Sequence, residues 1–226
     1  MITLGLKNLL LDSGSGKNRK LLDVGKNSLT ALQQSALIGY HAFSGNDYVS
    51  CFFRRGKKKG WKLIENSDDW LNVFSILGEN KNVEDDVMQK WEQFVCLLNG
   101  RSRCSSVNQA RREIFWDKLH KKNKIVDLSL LPPCQSSLKK HIKRANYVAR
   151  MWRQSVNPVM DLPDPTQQGW NKDQQIEWVD EPYPNDVGEL LFEKEDKKSN
   201  NDNEDADEDE EYDGDEDEDE SDSDED

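Results

Sequence analysis

A chain of 226 residues has room for one ordinary domain of about 100–200 residues, and its net charge of −13 divides unevenly. Nineteen of the 44 acidic residues lie in Asn201–Asp226, which holds no Lys or Arg, so residues 1–200 keep 31 basic against 25 acidic side chains, a surplus of about six. No apolar run of about 18 residues and no basic-then-apolar leader occurs, and Cys51, Cys96, Cys104 and Cys134 fall at wide spacings without a C-x-x-C pair; this excludes a spanning helix and a zinc ribbon, and is the pattern of an intracellular protein with free thiols.

The chain opens with short apolar runs, Met1–Leu11 and Leu21–Val24, on either side of Asp-Ser-Gly-Ser-Gly-Lys-Asn-Arg-Lys, which predicts a β-hairpin. Its Gly-x-Gly-Lys lacks the full phosphate-loop spacing and leads into a strand, so it reads as a turn. Ser28 is the expected cap of a helix to about Phe43, with Leu29, Leu32, Ala36, Leu37 and Tyr40 on one face. A turn at Ser44–Asp47 leads to a second helix over about Lys58–Glu65. Ser67 caps a third through Trp70, Leu71, Phe74 and Leu77, stopped by Gly78.

Asn82 is the expected cap of the clearest helix, which carries Val83, Val87, Trp91, Phe94, Val95 and Leu98 and ends at Gly100. Another helix is expected over about Ser106–Lys121, burying Ala110, Ile114 and Phe115. Pro132 and Pro133 then interrupt the chain, and Ser136 caps a long helix with Leu138, Ile142, Ala145, Ala149 and Trp152 inward, ending before Pro158. Trp170, Ile176 and Trp178 around Asn171-Lys172-Asp173 suggest a small hairpin or a strand laid on the body. Asn201–Asp226, with one aromatic side chain, Tyr212, has too little apolar surface to offset ordering and reads as disordered. His41, His120 and His141 are scattered and read as partly exposed helical residues.

Ala36–Ile64 reads ALIGYHAFSGNDYVSCFFRRGKKKGWKLI and resembles the nucleic-acid-binding corner of the flap-endonuclease family, the helix-two-turn-helix of PIN-type nucleases. That family carries a Gly-Ser-Asp-Tyr turn at the end of a helix, followed seven to nine residues after its Asp by Gly-x-Gly and a basic helix. Gly45-Asn46-Asp47-Tyr48 falls on the turn, Gly56 sits nine residues beyond Asp47, and Lys58, Lys59, Leu63 and Ile64 fall on the helix; Arg54 stands where the first glycine would be. A longer stretch, about residues 9–190, resembles a group of transposon-associated animal proteins, matched at Gly14–Asn18, His41–Asp47, Gly56–Lys58 and His141–Asn146.

The resemblance implies a carboxylate at Asp47 that, with others, would hold two divalent metals, Mg or Mn, to activate water at a phosphodiester. One carboxylate cannot form such a centre, and the others of the family lie on earlier strands. Asp12 and Asp23 are candidates by position alone, so the expectation is an N-terminally truncated chain to which no catalytic residue or cofactor is assigned. An Asp after Gly-Asn is equally a turn residue or helix cap.

Arg54, Arg55, Lys57, Lys58, Lys59 and Lys62 place six cations within nine residues, beside Gly56 and among Phe52, Phe53 and Trp61, and read as a phosphate-facing patch or as a solvated loop. The long helix adds Lys139, Lys140, Lys143, Arg144, Arg150 and Arg153 opposite its apolar stripe. Its Lys-Lys-His-Ile-Lys-Arg run reads as a solvated face, a nuclear import signal or a second nucleic-acid contact.

The expected fold is therefore mainly α: a short N-terminal hairpin remnant of a nuclease α/β core (1–27), a helix-two-turn-helix-like segment (28–66), a helical body (67–157), an irregular segment with a small hairpin (158–192) and a disordered acidic tail (193–226). The expected function is non-sequence-specific nucleic-acid binding without catalysis, in the nucleus sooner than the cytoplasm and with no membrane partner. The alternatives are a metal-dependent nuclease fragment, or an interaction protein whose tail captures histones or another basic partner.

Overall fold

The structure, a computed structural model, describes residues 10–26, 28–122, 127–173 and 175–177. All of these fall within one compact unit, residues 1–181; the acidic tail, Trp178 and Val179 lie outside the described residues. The described chain is mainly helical with one antiparallel hairpin, as the periodicities predict.

Strands β1 (Leu10–Ser13) and β2 (Lys20–Asp23) pair in the register Leu11↔Leu22 and Asp12↔Leu21. A 3-10 turn over Gly16–Asn18 closes the hairpin, and Arg19 Nε donates to the Asp12 carboxylate at 2.8 Å. The glycine-lysine segment is thus a turn between strands.

Six α-helices follow among the described residues: α1 (Ala31–Ser44), α2 (Lys57–Lys62), α3 (Asp68–Ser75), α4 (Asp85–Leu98), α5 (Val107–Lys122) and α6 (Gln135–Arg153). Their existence follows the apolar periodicity, but three starts differ from expectation. Thr30, not Ser28, caps α1, because Gln33 stands three residues on and the pair closes a capping box: Thr30 Oγ1 accepts from Gln33 N and Gln33 Oε1 from Thr30 N. Glu84 and Cys134 hold the cap positions of α4 and α6 in place of Asn82 and Ser136, and neither makes a side-chain cap bond. At the start of α6 the Gln135 backbone N–H donates instead to Asn108 Oδ1 at 3.0 Å, and buried Glu92 of α4 accepts from Val107 N at the start of α5 and from the Gln135 side-chain Nε2.

Helix α1 packs chiefly on α3 and α6, so one core joins the expected 28–66 and 67–157 segments. Its centre is aromatic: Phe74 meets Phe94 edge-on at 4.9 Å, and Tyr40 and Phe43 each meet Phe74 at 5.5 Å. Such edge contacts add about 0.5–1.5 kcal/mol per pair beyond the area buried. Leu37, expected on the inner face of α1, is 40% exposed, because the face that α3 and α6 cover is centred on Ala36, Gly39, Tyr40 and Phe43. Trp170 pairs with Ile176 in an isolated antiparallel bridge and sets its ring 5.2 Å from Tyr147 of α6, which realises the described part of the small C-terminal hairpin.

Candidate nucleic-acid interface

The corner between α1 and α2 is built from three backbone devices. Helix α1 ends at Gly45 with φ 114°, where a side chain would overlap Cys51. Asn46 and Val49 then exchange backbone hydrogen bonds at 2.8 and 3.3 Å, so that Asp47 and Tyr48 form the exposed tip of a tight turn. Seven residues after Asp47, Arg54 adopts φ 52°, the one left-handed conformation taken by a non-glycine residue among those described. The backbone here takes a conformation that glycine adopts far more readily than other residues, while the side chain supplies a cation. Gly56 is the reverse case: its φ is −61° and an added Cβ would meet nothing, so the fold does not require glycine there.

Helix α2 is anchored from beneath. Gly60 and Ile64 are buried, and the Tyr40 hydroxyl donates to Lys57 O at 2.6 Å. Burial pushes the Tyr40 phenol up to about 12, so it stays a neutral donor. Outward from this anchor, Lys57, Lys58, Lys59 and Lys62 are exposed, as is Arg54, whose guanidinium lies 5.3 Å from the Phe53 ring. Arg55 is half-buried and donates through Nε to Asn99 Oδ1 at 3.2 Å. Lys57 Nζ donates to His41 Nδ1 at 3.0 Å, and the His41 ring stacks on Trp152 at 5.2 Å. Burial, reinforced by the Lys57 charge and opposed by Asp47, holds the His41 imidazole below its ordinary range, in the neutral form that can accept from the lysine. The His41–Trp152 contact had no signal in sequence, since it joins residues 111 positions apart on two helices.

The second basic face is corrected by the structure. Arg144 is only 5% exposed and donates through Nη1 to Gly169 O at 3.0 Å, so it does not stand on a solvated face. Arg153 donates to Ser75 O, a carbonyl left open at the end of α3, and to Leu77 O, and Arg150 donates to Glu79 O, both in the turn that follows. Lys140 is paired with Glu177 at 2.6 Å and Lys143 is half-buried, leaving Lys139 as the exposed cation of the run. Because His141, Ile142 and Arg144 are buried within α6, Lys139–Arg144 is not displayed as an extended import signal. His141, expected to be partly exposed, is 5% exposed; Nε2 donates to Phe43 O at 2.8 Å, and burial pushes its imidazole down to about 4.

No group of three carboxylate, imidazole or thiol side chains is placed to hold a metal ion among the described residues. Asp47 occupies the turn tip, Asp12 is paired with Arg19, and Asp23 accepts from Gly25 N and pairs with Lys26. All four cysteines are free, and burial raises the Cys96 and Cys104 thiols to about 11. No described helix is long and apolar enough to cross a membrane. Compared with protein families, curated proteins and solved structures, the chain matches none.

Proposed function

We propose that this chain binds nucleic acid through its phosphate backbone, without reading sequence, and that it resembles a transposon-associated relative of flap-endonuclease-like nucleases that grips its substrate without cutting it alone. The observation that carries the reading is the crowding of exposed cations on α2. Lys58 and Lys62 are four apart on a single helical face and Lys59 lies beside them, with no acidic residue in the first turn. Like charges at that spacing each cost a few tenths of a kcal/mol, and lysines in the first turn oppose the helix dipole. A sequence that accepts this cost on a rigidly anchored corner is suited to a polyanion, whose phosphates relieve the repulsion on binding.

The test is the salt dependence of binding to a duplex and to a single strand of unrelated sequences. With about four to six phosphate contacts, affinity should fall on the order of a hundredfold or more between 50 and 200 mM salt. Replacing Lys58, Lys59 and Lys62 by Ala should flatten the logarithmic slope by about two to three units, equally for every sequence. The same change at Lys194, Lys197 and Lys198 should leave the slope alone. Binding that ignores salt, or a slope indifferent to the α2 lysines, removes the reading.

A further inference from the structure

A cleft of about 330 Å³ opens between the Ser50–Arg55 segment, the Leu130–Pro133 segment and α6. Its walls are of two kinds. Phe52, Phe53 and Pro133 supply flat apolar surface, whereas Arg55, Lys140 and Arg144 bring three cations and Glu177 one carboxylate. His141 also lines the cleft and is neutral near pH 7, since burial holds it down to about 4. The site therefore carries a net charge of about plus two by side-chain count.

Arg144 makes that charge costly. Its side chain is nearly all out of solvent, its Nε has no hydrogen-bond partner, and no described carboxylate pairs directly with its guanidinium. Burial alone lowers its affinity for the proton, and the charge of Glu177 opposes this from a distance. A guanidinium kept in such a place without a contacting anion is an incomplete arrangement. The Glu177 carboxylate, 2.6 Å from Lys140 Nζ, occupies the position on Lys140 that an external anion would take, and stands in for it.

We propose that this cleft binds a nucleoside monophosphate, with the phosphate monoester displacing Glu177 from Lys140 within the field of Arg55 and Arg144, and the base on the apolar wall. A phosphate monoester carries about 1.5 to 2 negative charges near pH 7, which matches the surplus that one carboxylate leaves unmet. Stacking a flat base on phenyl and proline surface is sequence-tolerant and favourable for every nucleobase. The site is separate from the α2 lysines, so it stands or falls independently of the backbone-gripping reading.

Calorimetric titration of the full chain at 50 mM salt with adenosine monophosphate, adenosine and inorganic phosphate tests the proposal. The nucleotide should bind at least about tenfold more tightly than either of the others, since each lacks one half of the recognition. Lys140→Ala should weaken it about tenfold by removing a charge-assisted bond, and Glu177→Gln should tighten it by removing the competitor. Affinity should also fall as the pH drops below about 6 and the phosphate gains its second proton. Lys58→Ala with Lys59→Ala should leave nucleotide affinity unchanged while weakening duplex binding. Lys140 and Glu177 are both near the surface, so thermal melts of the two variants should coincide with wild type. Equal affinity for adenosine or for inorganic phosphate overturns the proposal, as does nucleotide binding indifferent to both Lys140→Ala and Glu177→Gln.

Discussion

His141, Arg144 and Asn146 lie within two turns of α6, and each directs its polar atoms at a different part of the chain. His141 donates to the last turn of α1 at Phe43 O, Arg144 to Gly169 O, and Asn146 accepts from Gly78 N at 2.7 Å while donating to Asn80 O. The His-Ile-Lys-Arg-Ala-Asn pattern thus holds connections between elements, a structural role that a run of polar letters hides. Ser50 Oγ, 3.4 Å from Nδ1, completes the imidazole environment and suits the neutral tautomer with its proton on Nε2. Because the folded value is depressed to about 4 from 6.5, stability that depends on neutral His141 is complete above pH 6.5 and is lost as the pH falls from 6.5 towards 4. The loss amounts to on the order of 3 kcal/mol. Urea unfolding at pH 7 and pH 4.5 should show it, and His141→Gln, which retains a donor but cannot titrate, should lose less over the same interval. Equal pH dependence in the two proteins would exclude His141 as the source.

At the scale of elements, the tightest joint is the crossing of α1 over α3. A Cβ on Gly39 would lie 2.1 Å from Phe74 O and 3.0 Å from Leu77 Cβ, so the two helices approach to a distance that only glycine permits. Gly39→Ala should destabilise the protein by about 1–3 kcal/mol despite the better helix propensity of alanine, because backbone, unlike a side-chain tip, cannot step aside. Leu37→Ala on the exposed side of the same helix should cost far less; thermal melts of the two variants decide the matter, and a neutral Gly39→Ala would show that the helices can separate freely. The helices themselves were legible: period-3.6 stripes located α1, α3, α4, α5 and α6, and alternating apolar runs around a glycine turn located the hairpin. Their polar partners were not. Arg150 and Arg153 look like solvated cations in sequence, yet their long side chains reach back across a neighbouring helix end to carbonyls more than 70 residues away. Glu92 and Glu177 carry no local signal because their partners are set by the crossing of distant elements. Of the candidate site, the cation-rich corner around α2 was readable as a charge run, whereas the cleft behind it exists only once α6 is packed beside the Ser50–Arg55 segment.

For the whole molecule the deciding quantity is the division of charge. Removing Asn201–Asp226 removes 19 carboxylates and no cations, which changes the formal charge from −13 to about plus six. A polyanionic ligand approaching full-length protein therefore meets a net-negative chain that bears a cationic corner. Approaching the shortened chain, it meets a net-positive one, with faster encounter and tighter binding. A covalent tether gives those carboxylates an effective concentration set by linker length and span, which free peptide in solution would have to match. The Debye length is about 10 Å at 0.1 M salt and longer below it, so the difference between the two proteins should be largest at 50 mM salt and should shrink as salt is added. Phosphate on Ser221 or Ser223 would add about 1.5 to 2 negative charges each and should weaken nucleic-acid binding by the full-length chain further. Fluorescence-anisotropy titrations of residues 1–226 and 1–200 against one labelled duplex, at 50, 100 and 200 mM salt, read this directly. Equal affinity at 50 mM would show that the tail does not oppose the basic corner. In that outcome the 19 carboxylates call for a basic partner of their own, and histone capture that requires the tail but ignores Lys58, Lys59 and Lys62 becomes the reading to pursue.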